Sequence, residues 1–196
     1  MFVIFIFGGF VIFLWNLYAA SANFVTHEAT QVPGQDPTVA IQQSYINAVT
    51  AARGSYLGGT TINLCYPKNV DAGHTTVSSD GGSLASAQYP TAVTVDGTTY
   101  PLTTCGHGGH PYDCPTMTAP SVGQREMYIC VGLPCYQSGT APNCFNTDAA
   151  NVTHQDVYDI DVMVYAWLPS PVSLPVVGQQ LPVYSSDDET VQGFQP

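Results

Sequence analysis

Twenty-six residues at the start of this chain carry no charged side chain, and most are strongly apolar. Residues 1–22 read MFVIFIFGGFVIFLWNLYAASA. About 20 such residues in a helix match the roughly 30 Å of a bilayer's hydrocarbon core. Phe2, Phe5, Phe7, Phe10, Phe13, Ile4, Ile6 and Ile12 surround the helix axis, so no face is obviously meant for water. Gly8 and Gly9 permit close helix approach, and Trp15 and Tyr18 stand where an interfacial aromatic belt would lie. Phe2, Phe5, Phe7, Gly8, Gly9, Phe10, Phe13 and Trp15 are therefore candidates for an assembly interface.

A secretory signal peptide has a similar core, and Ala20-Ser21-Ala22 resembles its small-residue cleavage site. No Lys or Arg precedes the apolar run, however, so we expect a retained anchor or assembly helix. The first Lys or Arg is Arg53, which leaves the positive-inside rule nothing to count. Six cysteines set the orientation instead: the body is expected in an oxidising, extracellular or periplasmic space, with the N-terminus inside.

Residues 23–196 suffice for one domain with a core. Only 9% of the chain is charged, against the roughly 25% usual in soluble domains. Three basic and fourteen acidic side chains give a net charge of −11, which argues against nucleic acid as a partner. Fifteen Pro and eighteen Gly predict many turns and short strands.

Residues 23–35 read as a polar connector broken by Pro33-Gly34. Residues 36–54 predict an amphipathic helix, with Asp36 as N-cap, Pro37 in the first turn and Gly54 at the stop. Ile41, Tyr45, Ala48, Val49 and Ala52 form its apolar stripe. Residues 55–168 predict strands at 61–66, 126–133 and 157–167, and a hairpin turning at Asp96-Gly97. In 157–167 Tyr158, Ile160, Val162, Val164 and Ala166 share one face. Residues 169–196 form a Pro-rich tail that must be extended, an edge or a strap, and Asp187-Asp188-Glu189 reads as a solvated turn. The fold class predicted is mainly β: an apolar transmembrane-type helix, a short amphipathic helix, then a disulfide-braced, β-sandwich-like extracytoplasmic domain.

Cys65, Cys105, Cys114, Cys130, Cys135 and Cys144 predict three disulfides among fifteen connectivities. Local closures Cys105–Cys114 and Cys135–Cys144 would leave Cys65 for Cys130. The loop holding Cys105, His107, His110 and Cys114, with His74 as a further ligand, could alternatively bind zinc or copper. Its spacing matches no standard finger, and oxidised cysteines in a solvated loop are the favoured reading. We therefore expect no cofactor. Asp156, Asp159 and Asp161 lack the glycine turn and final Glu of a calcium loop, so they read as solvent-facing strand acids. Asn151-Val152-Thr153 is an N-glycosylation sequon. No G-x-S-x-G, H-E-x-x-H, P-loop or G-x-G-x-x-G occurs, and we expect no enzyme.

An uncharged first helix, an amphipathic helix and a disulfide-stapled β-rich head, here 1–18, 36–53 and 60–167, resemble the layout of type IV pilins. Position 5 is Phe5 rather than the acidic residue of bacterial pilins, so the archaeal members fit better. The resemblance implies a structural subunit whose partners, met through the first helix, are copies of itself. Two other assignments share the sequence features. One is a single-pass accessory subunit of a respiratory or photosynthetic complex, or of a membrane-containing virion, with other membrane subunits and lipid as partners. The other is an anchored metal-binding or redox domain.

Overall fold

Among the described residues, two helices and six strands follow one another: α1 (Phe2–Thr30), α2 (Pro37–Gly54), β1 (Thr61–Pro67), β2 (Ala92–Val95), β3 (Thr98–Cys105), β4 (Glu126–Gly132), β5 (Asp156–Leu174) and β6 (Gly178–Gly193). They come from a computed structural model, which describes residues 2–32, 37–67, 90–105, 123–132, 156–174 and 178–193. The strands form one mixed sheet in the order β2-β3-β1-β4-β5-β6. β1 is parallel to both β3 and β4, and the other three pairings are antiparallel.

Among the described residues, the β-sandwich expected from the sequence is thus corrected to a single sheet covered by helices. A sheet needs one apolar layer packed over its buried face. Here α1 lies on β5 and β6 while α2 lies on β2 and β4, so no second sheet is needed. Val11, Tyr18, Ala22, Val25 and Ala29 from α1 join Ile41, Tyr45, Ala48, Val49 and Ala52 from α2 in one core. Val93, Met127, Ile129, Val162, Val164, Ala166, Leu168 and Val183 supply its sheet side. Each fully buried Val, Leu or Ile contributes about 1.5–3 kcal/mol of transfer free energy.

Helix α1 does not stop at residue 22. It continues unbroken to Thr30, through most of the connector predicted at 23–35. Hydroxyls there back-bond to the helix itself: Ser21 donates to the Leu17 carbonyl, Thr26 to Asn23 and Thr30 to His27. Such bonds let polar side chains sit in a helix without releasing the backbone. Helix α2 has the predicted extent from Pro37; the proposed cap Asp36 lies outside the described residues.

At Asp96-Gly97 both residues take positive φ, 48° and 76°, the signature of a type I′ turn joining β2 to β3. Arg53 at the end of α2 holds this hairpin, donating to Asp96 Oδ2 at 3.0 Å and to the Val95 carbonyl at 3.4 Å.

The Pro-rich tail is strand. β5 runs on to Leu174 and β6 pairs with it from Gly178 to Gly193, so the tail supplies the sheet's edge. Asp187, Asp188 and Glu189 are not a turn: they pair in register with Val162, Asp161 and Ile160. β4 pairs with β5 only between Asp161 and Trp167. Pro169 and Pro171 therefore fall where β5 has left β4, and Pro182 falls on the edge strand, where a missing N–H is tolerated.

Cys65 and Cys130 are bonded, directly opposite each other on parallel β1 and β4. Both are buried on the sheet face turned away from the helices, beside Met163 and Tyr128. On the helix side, the buried Tyr45 hydroxyl donates to the Cys65 carbonyl at 2.5 Å and accepts from the Val131 amide at 3.4 Å. One side chain thus bridges two strands at the last rung of their ladder.

Candidate assembly surface

Helix α1 presents two different apolar flanks. Val11, Leu14, Tyr18, Ala22, Val25 and Ala29 recur at helical spacing and pack into the core. Phe10, Phe13 and Phe24 lie on another flank, with exposures of 49%, 61% and 47%, and the half-buried Leu17 falls between them. Ile12 and Trp15 are also exposed. At 3.6 residues per turn, the Phe flank is rotated roughly 120° from the docked one.

The docked flank is small where it meets the head and is held to β6 by a polar seam. The Trp15 indole donates to the Pro182 carbonyl at 3.2 Å. Ser185 donates to Asn23 Oδ1 at 2.6 Å and shares a 3.0 Å bond with the Thr26 hydroxyl. His27 Nδ1 stands 3.4 Å from Asp187 Oδ2, and Gln31 Nε2 donates to Glu189 Oε2 at 2.7 Å. Contacts advance together along both elements, from Trp15 on α1 to Gln31 just past its end and from Pro182 to Glu189 on β6. The two run parallel over about 24 Å of helix and about 23 Å of strand. The acids of β6 are thus anchors for α1 rather than purely solvated charges.

The polar residue inside the apolar run satisfies itself: Asn16 Nδ2 donates to the Ile12 carbonyl at 2.9 Å. Gly8 and Gly9 are exposed, and a Cβ added at either would meet nothing within 4 Å. Among the predicted interface residues, Gly8, Gly9, Phe10, Phe13 and Trp15 are accessible on α1. Phe2, Phe5 and Phe7 belong to the same helix; their side chains lie outside the description.

Beyond the helix flank, an open groove of about 440 Å3 lies between Trp15, Asn16, Ala19, Tyr165, Pro182, Val183 and Tyr184. Tyr165 connects it to an aromatic row on the outer sheet face, its ring tilted against Trp167 and Tyr184 with centroids 4.3 Å and 6.3 Å away. Tyr128 closes the row edge-on to Trp167 and donates to Glu126 Oε2. Burial, then the Glu126 charge and this bond, raise the Tyr128 hydroxyl above its ordinary 10.0. Its neutral form is favoured by folding, so that contribution is whole below pH 10 and is lost as alkali carries pH through the raised value.

Of the sequence-predicted chemical sites, Cys65 and Cys130 are brought together. Cys105 ends β3, with its side chain outside the description. Cys114, Cys135, Cys144, His74, His107, His110 and Asn151 lie outside the described residues, as do the two local closures. Among the described residues, no three His, Cys, Asp or Glu side chains gather as a metal site. The groove and the seam were not read from the sequence, because Trp15, Asn23, Thr26 and His27 meet residues more than 150 positions away.

Comparison with family models, curated proteins and solved structures gave no match. The chain's own geometry carries the functional argument.

Proposed function

We propose that this chain is a non-enzymatic structural subunit that assembles through α1 and displays the sheet domain, as a pilus-like filament subunit does. One observation carries the reading. A single continuous helix is embedded in the head along one flank and exposes large aromatics, Phe10, Phe13 and Phe24, along another. Contiguous exposed apolar surface of this kind marks an interaction site. In this pilin-like reading the later half of α1 packs on the head, with α2 beside it.

Residues 8–30 are also long and apolar enough to cross a membrane, which supports the second reading, a single-pass subunit of a membrane complex. That reading carries a physical cost. With Gly8–Thr30 as the span, Val25, Thr26, Ala29 and Thr30 would leave the head core, and the bonds of Thr26 to Ser185 and Thr30 to Asp187 would break. Packing among copies covers the Phe flank without undocking the rest.

The test is assembly of the full chain as detergent is withdrawn, with and without lipid. Ordered polymers viewed by electron microscopy, with α1 at their centre, are expected. Single copies dispersed in bilayers, with no contact between copies, would overturn the filament reading in favour of the membrane subunit.

A further inference from the structure

The groove beside Trp15 and the Phe flank of α1 lie on opposite sides of the same helix. Trp15, Asn16 and Ala19, which line the groove, centre about 140° around the axis from Phe10, Phe13, Leu17 and Phe24. Because α1 is continuous through Gly8 and Gly9, its own aromatics cannot fold back into its own groove. Among the described residues, no other segment of the chain enters the groove, which leaves it open to a second molecule.

We propose that this groove receives the Phe10–Phe13 flank of α1 from a second copy of the chain. The proposal rests on the self-assembly reading above and names the surface that reading leaves open. Charge selects the occupant. Copies with a net charge of −11 repel one another, so contact is favoured where neither side is charged. No ionisable acid or base lines the groove apart from the tyrosine hydroxyls, and residues 1–26 have no charged side chain. Its volume falls in the range of about 300–1,000 Å3 that accommodates inserted groups. Tyr165 and the half-exposed Tyr184 offer ring faces and edges to an arriving Phe. The groove also adjoins exposed Ile12 and Trp15, so the buried surface would be continuous with the helix interface.

The geometry has a consequence for assembly. A knob on one flank entering a groove on the other is a head-to-tail contact, which leaves one free knob and one free groove at the ends. Contacts of that kind propagate into open filaments unless the rotation happens to close a ring.

The test places a photo-crosslinking benzoylphenylalanine at Phe13 in the full chain, assembled from a mixture of isotopically light and heavy copies. A light–heavy crosslink to the segment containing Tyr184 or to Trp15 is expected. A crosslink to some other segment of a second copy would overturn the groove while leaving self-assembly standing. Crosslinks only to lipid or to unrelated chains would overturn both. As an independent measurement, Tyr184→Arg should lower the assembled fraction at least tenfold without shifting the melting temperature of the head. Tyr56→Arg, at a comparably exposed site after α2, should leave assembly unchanged. Wild-type assembly by Tyr184→Arg would overturn the proposal.

Discussion

The two flanks of α1 use apolar residues in opposite ways. On the docked flank, small residues (Ala22, Ala29) and hydroxyls (Ser21, Thr26, Thr30) let the helix approach the sheet closely, and each polar group finds a partner. On the open flank, Phe10, Phe13 and Phe24 are large, exposed, and spaced so that they share one side of the helix. Side-chain size and satisfied hydrogen bonds therefore distinguish the face that builds the subunit from the face that is left to join others. Hydrophobicity alone does not, since both flanks are apolar.

The comparison breaks most severely at Val25. Val25→Asp places an acid at a fully buried position, and we expect a loss of 3 kcal/mol or more (about the cost of an uncompensated buried charge), read by denaturant unfolding. A head that unfolds normally in this variant would mean the docked flank is not part of its core. Replacing Cys65 and Cys130 together by Ala should cost about 2–4 kcal/mol while leaving the orientation of α1 unchanged. That result would separate bracing of the sheet from docking of the helix.

Smaller changes sharpen the seam. Ser185→Ala removes the bonds to Asn23 and Thr26, but Asn23 is exposed and Thr26 keeps the Asn23 carbonyl, so the cost should be about 0.5–1.5 kcal/mol in thermal unfolding. His27→Ala should cost no more than about 1 kcal/mol, because the pair with Asp187 is substantially exposed. The smallest effect belongs to the other flank. Phe13→Asp should change head stability by less than about 0.5 kcal/mol and abolish assembly, judged by sedimentation beside the unfolding curve. Equal destabilisation by Val25→Asp and Phe13→Asp would erase the distinction between flanks.

Local chemistry was legible where it acts locally. Asp96-Gly97 specifies its hairpin because only a few residues tolerate two successive positive φ values. Pro37 and Gly54 bracket α2, and the alternation in β5 announces a strand. What escaped was nonlocal. Asn23, Thr26, His27 and Gln31 look like a connector until β6 supplies their partners. Asp187 and Glu189 look like a turn for the same reason, whereas the prolines of the tail had already pointed to an extended edge. A mainly β sandwich followed from counting strand signals without seeing that α1 would continue to Thr30 and cover the sheet. The assembly aromatics were visible as residues; their division from the docked flank needed the sheet.

The parallel course of α1 and β6 also fixes how the subunit carries load. Tension drawn along the helix axis acts lengthwise on the whole seam from Trp15–Pro182 to Gln31–Glu189, so its contacts resist together in shear instead of opening singly like a zipper. From β6 the pull passes sideways through paired strands to β4, where Cys130 ties it covalently to Cys65. Strength under traction is therefore distributed across the head, with a sulfur bridge at the centre of the sheet.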